Sequence, residues 1–149
     1  MAGFGPHLVF DGYGCTVRRL EDLDGLYQFL DRVPDQIGMT KIMPPYVFRH
    51  GASGDPAAGI SGFVLIAESH ISVHMFPARR HVNVDIFSCE PFEVEEAVQV
   101  IRKQFQPKQV EWKLLDRGKE FPKTQDGSRV IVERDRIQVA HGQGLGVSR

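Results

Sequence analysis

Three histidines and a cysteine fall within one twenty-residue window: His70, His74, His81 and Cys89. Imidazole nitrogens and thiolates are zinc ligands, and His-x3-His on a helix would turn both rings to one side. Here the intervening residues are Ile71, Ser72 and Val73, which favour a strand. On a strand, residues four apart share a face but lie about 13 Å from each other, too far for one ion. The expectation is therefore no metal site. A serine–histidine–cysteine hydrolase finds no support either, because no serine sits in a Gly-x-Ser-x-Gly elbow. Taken singly, each histidine reads as a structural or surface imidazole, and Cys89 as a small buried hydrophobe ending an apolar strand.

The elements that must carry these residues follow from periodicity. His7 to Asp11 is a short apolar-rich segment broken by Gly12-Tyr-Gly14-Cys15, a strand entering a turn. Leu23, Leu26, Leu30, Val33 and Ile37 recur at helical spacing, with Pro34 placing the end of that helix, or a kink, near Val33. Strand residues are expected around Tyr46 to Phe48, followed by a loop over residues 51–59, rich in glycine, alanine and serine. Ile60 to Ala67, His70 to Phe76 and His81 to Phe87 read as three strands of an antiparallel meander. Val94, Ala97, Val98, Ile101 and Phe105 form a second amphipathic helix, stopped near Pro107, and Val110, Trp112 and Leu114 alternate as a further strand. The order predicts an α+β fold, a two-layer sandwich of a mainly antiparallel sheet with two helices packed on one face. The expected domain is 1–122. Residues 123–149 read as a polar, loosely ordered extension in which Val130–Val132 and Ile137–Val139 are candidate pairing segments.

Composition narrows the function class. The chain has 149 residues, enough to bury about 70% of its unfolded surface in one domain. Eighteen basic and nineteen acidic residues give a net charge of −1, without the cationic excess that holds phosphate backbones, so no nucleic acid partner is expected. No apolar run is long enough to cross a membrane, and the N-terminus has neither the basic region nor the apolar core of a signal peptide. Two cysteines, Cys15 and Cys89, do not make a disulfide framework, and the expected location is the cytoplasm.

Read together, the residues of the central segment say more. Gly59-Ile-Ser61-Gly62 leads into Glu68-Ser69-His70, then His74, and Asp85-Ile-Phe-Ser-Cys89 follows. Relative to Ser69, a serine lies eight positions earlier, a histidine five later and a cysteine twenty later. This pattern closely resembles bacterial and archaeal S-adenosylmethionine decarboxylases, and the resemblance extends over residues 7 to 121. It implies a proenzyme that cuts itself at Glu68–Ser69 and makes its own pyruvoyl group from Ser69. The Ser69 hydroxyl attacks the Glu68 carbonyl, turning an amide into an ester. Removal of the Ser69 α-proton expels the Glu68 carboxylate, and the resulting dehydroalanine tautomerises and loses ammonia to water. Serine is required because its β-hydroxyl is first nucleophile and then leaving group.

By the same resemblance, His74 and Ser61 assist processing, with His74 the base for the α-proton, as suits an imidazole titrating near 6.5 when unperturbed. Cys89 is the proton donor to the substrate α-carbon after carbon dioxide leaves. The substrate is of amino-acid type: its amine forms a Schiff base with the pyruvoyl ketone, with no pyridoxal phosphate and no metal required for the chemistry. Phe76 and Phe48 are candidate aromatic contacts for adenine, and Asp11 matches an acid near the cationic end of the substrate. Geometry adds a partner. On one continuous strand Ser69 and His74 would stand about 17 Å apart on opposite faces. A homodimer resolves this, with Ser69 and Cys89 from one subunit facing Ser61 and His74 from the other.

One position departs. Where the family continues Thr-Trp-Pro-Glu or Thr-Phe-Pro-Glu, this chain has Met75-Phe76-Pro77-Ala78. The missing glutamate holds the ribose hydroxyls in relatives. Its loss typically costs about 1.5–3 kcal/mol, or roughly one to two decades in affinity. The expected reaction is thus decarboxylation of S-adenosylmethionine for spermidine biosynthesis. Two alternatives stand beside it: L-ornithine or L-arginine decarboxylation by the same group, and a non-catalytic regulatory homologue.

Overall fold

Among the described residues a six-stranded sheet in the order β2-β3-β4-β5-β1-β6 carries three α-helices and a single 3-10 turn. The structure, a computed structural model, describes residues 4–119. The strands are β1 (Gly5–Tyr13), β2 (Tyr46–His50), β3 (Gly59–Ile66), β4 (Ser69–Phe76), β5 (His81–Ser88) and β6 (Gln109–Arg117). The helices are α1 (Val17–Leu20), α2 (Leu23–Gln36) and α3 (Val94–Phe105), and the 3-10 turn is Pro77–Arg79. The chain divides into two units, Gly5–Leu115 and a second made of Met1–Phe4 with Asp116–Arg149. Everything below concerns the first. The pairing segments expected at Val130–Val132 and Ile137–Val139, and the extension after Pro122, lie outside the described residues.

The expected α+β fold is what forms, with β3, β4 and β5 as the antiparallel meander. β1 returns from the start of the chain to pair with β5, and β2 covers the other side of β3. Period-2 alternation sorts each strand into two faces. Leu8 and Phe10 of β1, Val64 and Ile66 of β3, Ile71, Val73 and Met75 of β4, and Val82, Val84 and Ile86 of β5 are all buried. They form the core together with Leu26, Phe29, Leu30 and Val33 of α2 and Ala97, Val98, Ile101 and Phe105 of α3. Among the described residues no helix packs on the other face, which carries Tyr46, Phe48, Phe63 and Leu65 exposed.

Two details differ from the expectation. α2 does not end near Val33 but runs through Pro34 to Gln36. Proline there gives up the bond from its own nitrogen to the carbonyl of Leu30 and crowds that carbonyl with its ring, but only two helical residues follow it, so little of the helix depends on that bond. The turn closes instead as a Schellman motif: Met39 N–H reaches Pro34 O at 2.8 Å and Gly38 N–H reaches Asp35 O at 3.2 Å, with Gly38 at φ 73°. At the other end, the Asp22 side chain caps Gly25 N–H at 2.8 Å. The second difference is α1, one turn long and too short for periodicity to reveal.

Phe105 anchors α3, fully buried and edge-on to Phe29 of α2 with ring centroids 5.3 Å apart. Phe105→Ala is expected to cost about 3–5 kcal/mol, measured by urea unfolding in a Ser69→Ala background so that a single chain unfolds.

Candidate active site

The residues singled out for chemistry separate into two groups on β3, β4 and β5. The first lies at the β3–β4 hairpin. Ile66 pairs with Ser69, so Ala67 and Glu68 form a two-residue turn. Such turns match the twist of their strands when a central residue has positive φ. Here Ala67 and Glu68 do not, and Ser69, the next residue, has φ 156°, a region that only glycine enters freely. Backbone strain of this kind costs about 1–3 kcal/mol and must be held by its surroundings. The surroundings do hold it. The Glu68 carbonyl oxygen accepts the Cys89 N–H at 2.8 Å. The Glu68 carboxylate accepts the Thr40 N–H at 3.1 and 3.3 Å, and Thr40 O accepts the Ala67 N–H at 2.8 Å. Both ends of the turn are thus strapped to other parts of the chain.

The second group lies on the uncovered face. The register aligns Phe48 with Ser61, Ser61 with His74, His74 with Asn83, and Asn83 with Asp11. Four of the expected site residues therefore form one row across β2, β3, β4 and β1, at about 4.8 Å per strand. Ser61 Oγ lies 2.8 Å from His74 Nδ1, although Ser61 is 3% exposed. Asn83 Nδ2 donates to Asp11 Oδ1 at 2.5 Å, and His81 Nε2 stands 3.8 Å from the same oxygen. In the neighbouring row His50, Phe76, His81 and Tyr13 lie ring against ring, at centroid distances of 6.3, 6.2 and 4.9 Å. A concavity of about 340 Å³ on this face is lined by Phe48, Ser61, Phe63, His70 and His74 among others.

Ser69 and His74 are not brought together within the protomer. β4 is unbroken: Ser72 pairs with Phe63 on one side and Asp85 on the other. Five residues at the antiparallel rise separate Ser69 from His74 by about 17 Å. The hairpin group comprises Glu68, Ser69 and Cys89; the face group comprises Ser61, His74, Phe48, Phe76 and Asp11. Sequence reasoning missed Thr40, His50 and Asn83. His50 and Asn83 were within reach of period-2 counting, from Phe48 and His81 respectively. Nothing local marks Thr40, whose role arises from tertiary packing.

Ala78 lies in the 3-10 turn, on a cavity of about 960 Å³ whose charged lining is Glu21, Arg49, Asp55 and Arg80. Among the described residues no three His, Cys, Asp or Glu side chains are grouped to hold a metal ion, and no helix is long and apolar enough to cross a membrane. The residues present fit a group made from Ser69 itself: its hydroxyl directly follows the Glu68 carbonyl, which accepts the Cys89 N–H, and its own φ is 156°.

A two-layer α+β domain with its candidate site residues divided between one hairpin turn and one sheet face is the class that fold and site define. The sequence profile described as S-adenosylmethionine decarboxylase matches residues 6–118. The S-adenosylmethionine decarboxylase proenzyme of Archaeoglobus fulgidus is 32% identical over 115 residues, spanning 76% of this chain and 97% of that protein. That of Clostridium botulinum is 30% identical over 116 residues, spanning 77% and 95%. The crystal structure of the adenosylmethionine decarboxylase from Aquifex aeolicus aligns with a TM-score of 0.69 at 26% identity, covering 84% of this chain and 100% of that one. The chain belongs to the S-adenosylmethionine decarboxylase family.

The two cysteines differ in environment. Cys15 is fully buried, and burial pushes its thiol up to about 11, whereas Cys89 is half-buried. At pH 8 Cys15 carries thiolate in about one molecule in a thousand. Iodoacetamide at that pH is expected to alkylate Cys89 and spare Cys15 until the protein unfolds, as read by peptide mapping. A raised thiol stabilises the fold while it stays protonated. The Cys15 contribution is therefore present below pH 9 and lost as pH rises from 9.0 toward about 11.

Proposed function

We propose that this chain is a proenzyme that cuts itself between Glu68 and Ser69, converts Ser69 into a pyruvoyl group, and decarboxylates S-adenosylmethionine for spermidine biosynthesis. The observation that carries the reading is the hydrogen bond from Cys89 N–H to the Glu68 carbonyl oxygen, 2.8 Å, beside a serine at φ 156°. The donor draws electron density from the carbonyl carbon that Ser69 Oγ attacks, and it is already in place for the oxyanion that forms there. Relief of strain at Ser69 favours leaving the amide for the ester. His74 then takes the Ser69 α-proton, the Glu68 carboxylate departs, and water replaces the nitrogen, which leaves as ammonia.

A pyruvoyl group supplies an electrophilic carbonyl and an electron sink for the pair released with carbon dioxide. The chain's own residues do the rest. The Cys89 thiol returns a proton to the substrate α-carbon. Phe48 and Phe76 offer aromatic faces to adenine, and the Asp11 carboxylate, oriented by Asn83, faces the substrate's cationic end.

The active unit in this reading is a homodimer with composite sites. A single protomer keeps Ser69 and His74 about 17 Å apart. The uncovered face, with Tyr46, Phe48, Phe63 and Leu65 exposed, is the kind of apolar surface a second copy covers. Ser69 and Cys89 of one subunit then meet Ser61 and His74 of the other.

Intact-mass analysis of the purified protein is expected to show two fragments divided at Glu68/Ser69, the larger beginning with pyruvoyl, and one uncut chain for Ser69→Ala. Carbon dioxide release is expected from S-adenosylmethionine in preference to ornithine and arginine. Preference for either amino acid would assign Ala78 to a changed substrate, and an uncut wild-type chain inactive on all three would overturn the reading. Composite sites make a second prediction. Co-expressed Ser69→Ala and His74→Ala chains are expected to restore cleavage of the His74→Ala chain, because a mixed dimer rebuilds one complete site. Cleavage confined to a single protomer would leave both uncut.

A further inference from the structure

Ser61 stands between two imidazoles. Its Oγ lies 2.8 Å from His74 Nδ1 and 3.1 Å from His50 Nε2. The side chain is 3% exposed, so its proton has little water to turn to, and a buried hydroxyl proton without an acceptor is costly. A serine hydroxyl has one proton to give, so it donates to one ring and accepts from the other. The two contacts are coupled through that proton.

Two arrangements satisfy all three groups. In the first, Ser61 donates to His50 Nε2 and accepts from His74 Nδ1–H, which leaves Nε2 of a neutral His74 with its lone pair. In the second, His50 Nε2–H donates to Ser61, Ser61 donates to His74 Nδ1, and His74 Nε2 carries the hydrogen. Only the first leaves His74 a basic nitrogen facing away from Ser61. We infer that His50 is a positioning residue that sets the tautomer of His74: as an acceptor it holds His74 in the Nδ1–H form, with Nε2 as the base, and protonation of His50 reverses the chain and withdraws that base. The inference deepens the reading of His74 as the processing base and rests on it.

The surroundings fit this role. His50 ends β2 opposite Gly59 of β3. A Cβ on Gly59 would lie 3.5 Å from His50 Nε2 and collide with the Met75 carbonyl oxygen at 2.0 Å. Phe48 and Phe76 flank the ring at 6.2 and 6.3 Å. The charged groups around it are Glu21 after α1, the adjacent Arg49, Asp55 of the loop and Arg80 after the 3-10 turn, which line one cavity with it. Arg49 is turned to Glu21 O at 3.2 Å and Arg80 to Cys15 O at 3.1 Å. Across the sheet the titratable groups are His74, through Ser61, and His81, beyond Phe76.

The test follows self-cleavage of the full chain, made by cell-free translation, as a function of pH. With either ring protonated the base is lost, so the acid limb of log rate against pH is expected to approach a slope of two. His50→Gln keeps a neutral acceptor and is expected to cleave within about threefold of wild type at pH 8, with the slope reduced to one. His50→Leu, with no acceptor, is expected to lose about tenfold, short of the loss of about a hundredfold or more for a missing general base in His74→Ala. Nitrogen-15 NMR of uncut Ser69→Ala protein at pH 8 is expected to show His74 as the Nδ1–H tautomer, moving toward Nε2–H in Ser69→Ala/His50→Leu. A slope of one in wild type that His50→Gln leaves unchanged, or a His74 tautomer indifferent to His50→Leu, would overturn the inference. Undiminished cleavage by His74→Ala would instead overturn the assignment of His74, an outcome separate from the tautomer shift.

Discussion

A β-strand paired on both sides cannot turn one of its residues toward the opposite face. β4 is held this way from Ser69 to Met75, by β3 on one side and β5 on the other. Its alternation therefore fixes which residues share a surface: Ile71, Val73 and Met75 seal the core, while Ser72, His74 and Phe76 look the other way. The site's division into a hairpin group and a face group follows from this. So does the separation of Ser69 from His74 within one protomer, about 17 Å, which no rotamer change spans. The strap on the turn is equally a product of the sheet: β5 ends at Ser88, so the next residue, Cys89, offers its N–H to Glu68 O where Ser69 pairs with Ser88.

Most of the sheet was legible because its strands obey local rules. β3 reads as a nearly continuous apolar run and β4 and β5 as alternating ones, and their lengths fit the strands that form. The two long helices were legible by apolar spacing, but the end of α2 was not. Proline chemistry argued for an end or a kink near Val33; the helix runs on to Gln36 and closes there in a six-residue Schellman motif at Gly38 and Met39, which depends on bonds across the helix end. The single turn of α1 carries too few residues for a period. At the site, the motif supplied residue identities without supplying their arrangement. The row Phe48, Ser61, His74, Asn83, Asp11 exists only once four strand registers are known. Thr40 entered for the same reason, because it bonds to Glu68, 28 residues along the chain, whereas His50 lay within reach of period-2 counting from Phe48.

The position where this chain leaves its family's pattern is set apart from the β3–β4 turn. Ala78 lies beyond the end of β4, in a short turn on a cavity of mixed charge, while Glu68 and Ser69 lie at the opposite end of that strand. A change at Ala78 therefore leaves the turn and the strap on Glu68 untouched, while it falls in the cavity that His50 also lines.

The strand order has a consequence for the two pieces that cutting at Glu68–Ser69 would create. The leading piece supplies β1, β2 and β3, and the trailing piece β4, β5 and β6. In the sheet they interleave: β2 and β3 lie to one side of β4 and β5, while β1 is wedged between β5 and β6. Separating the pieces means opening the β3–β4, β5–β1 and β1–β6 seams together. The severed molecule is thus a clasp rather than a hairpin with a nick. Its parts part company slowly, and once apart they must find each other again as a second-order event, so survival of the assembled form becomes a matter of unfolding rate more than of equilibrium.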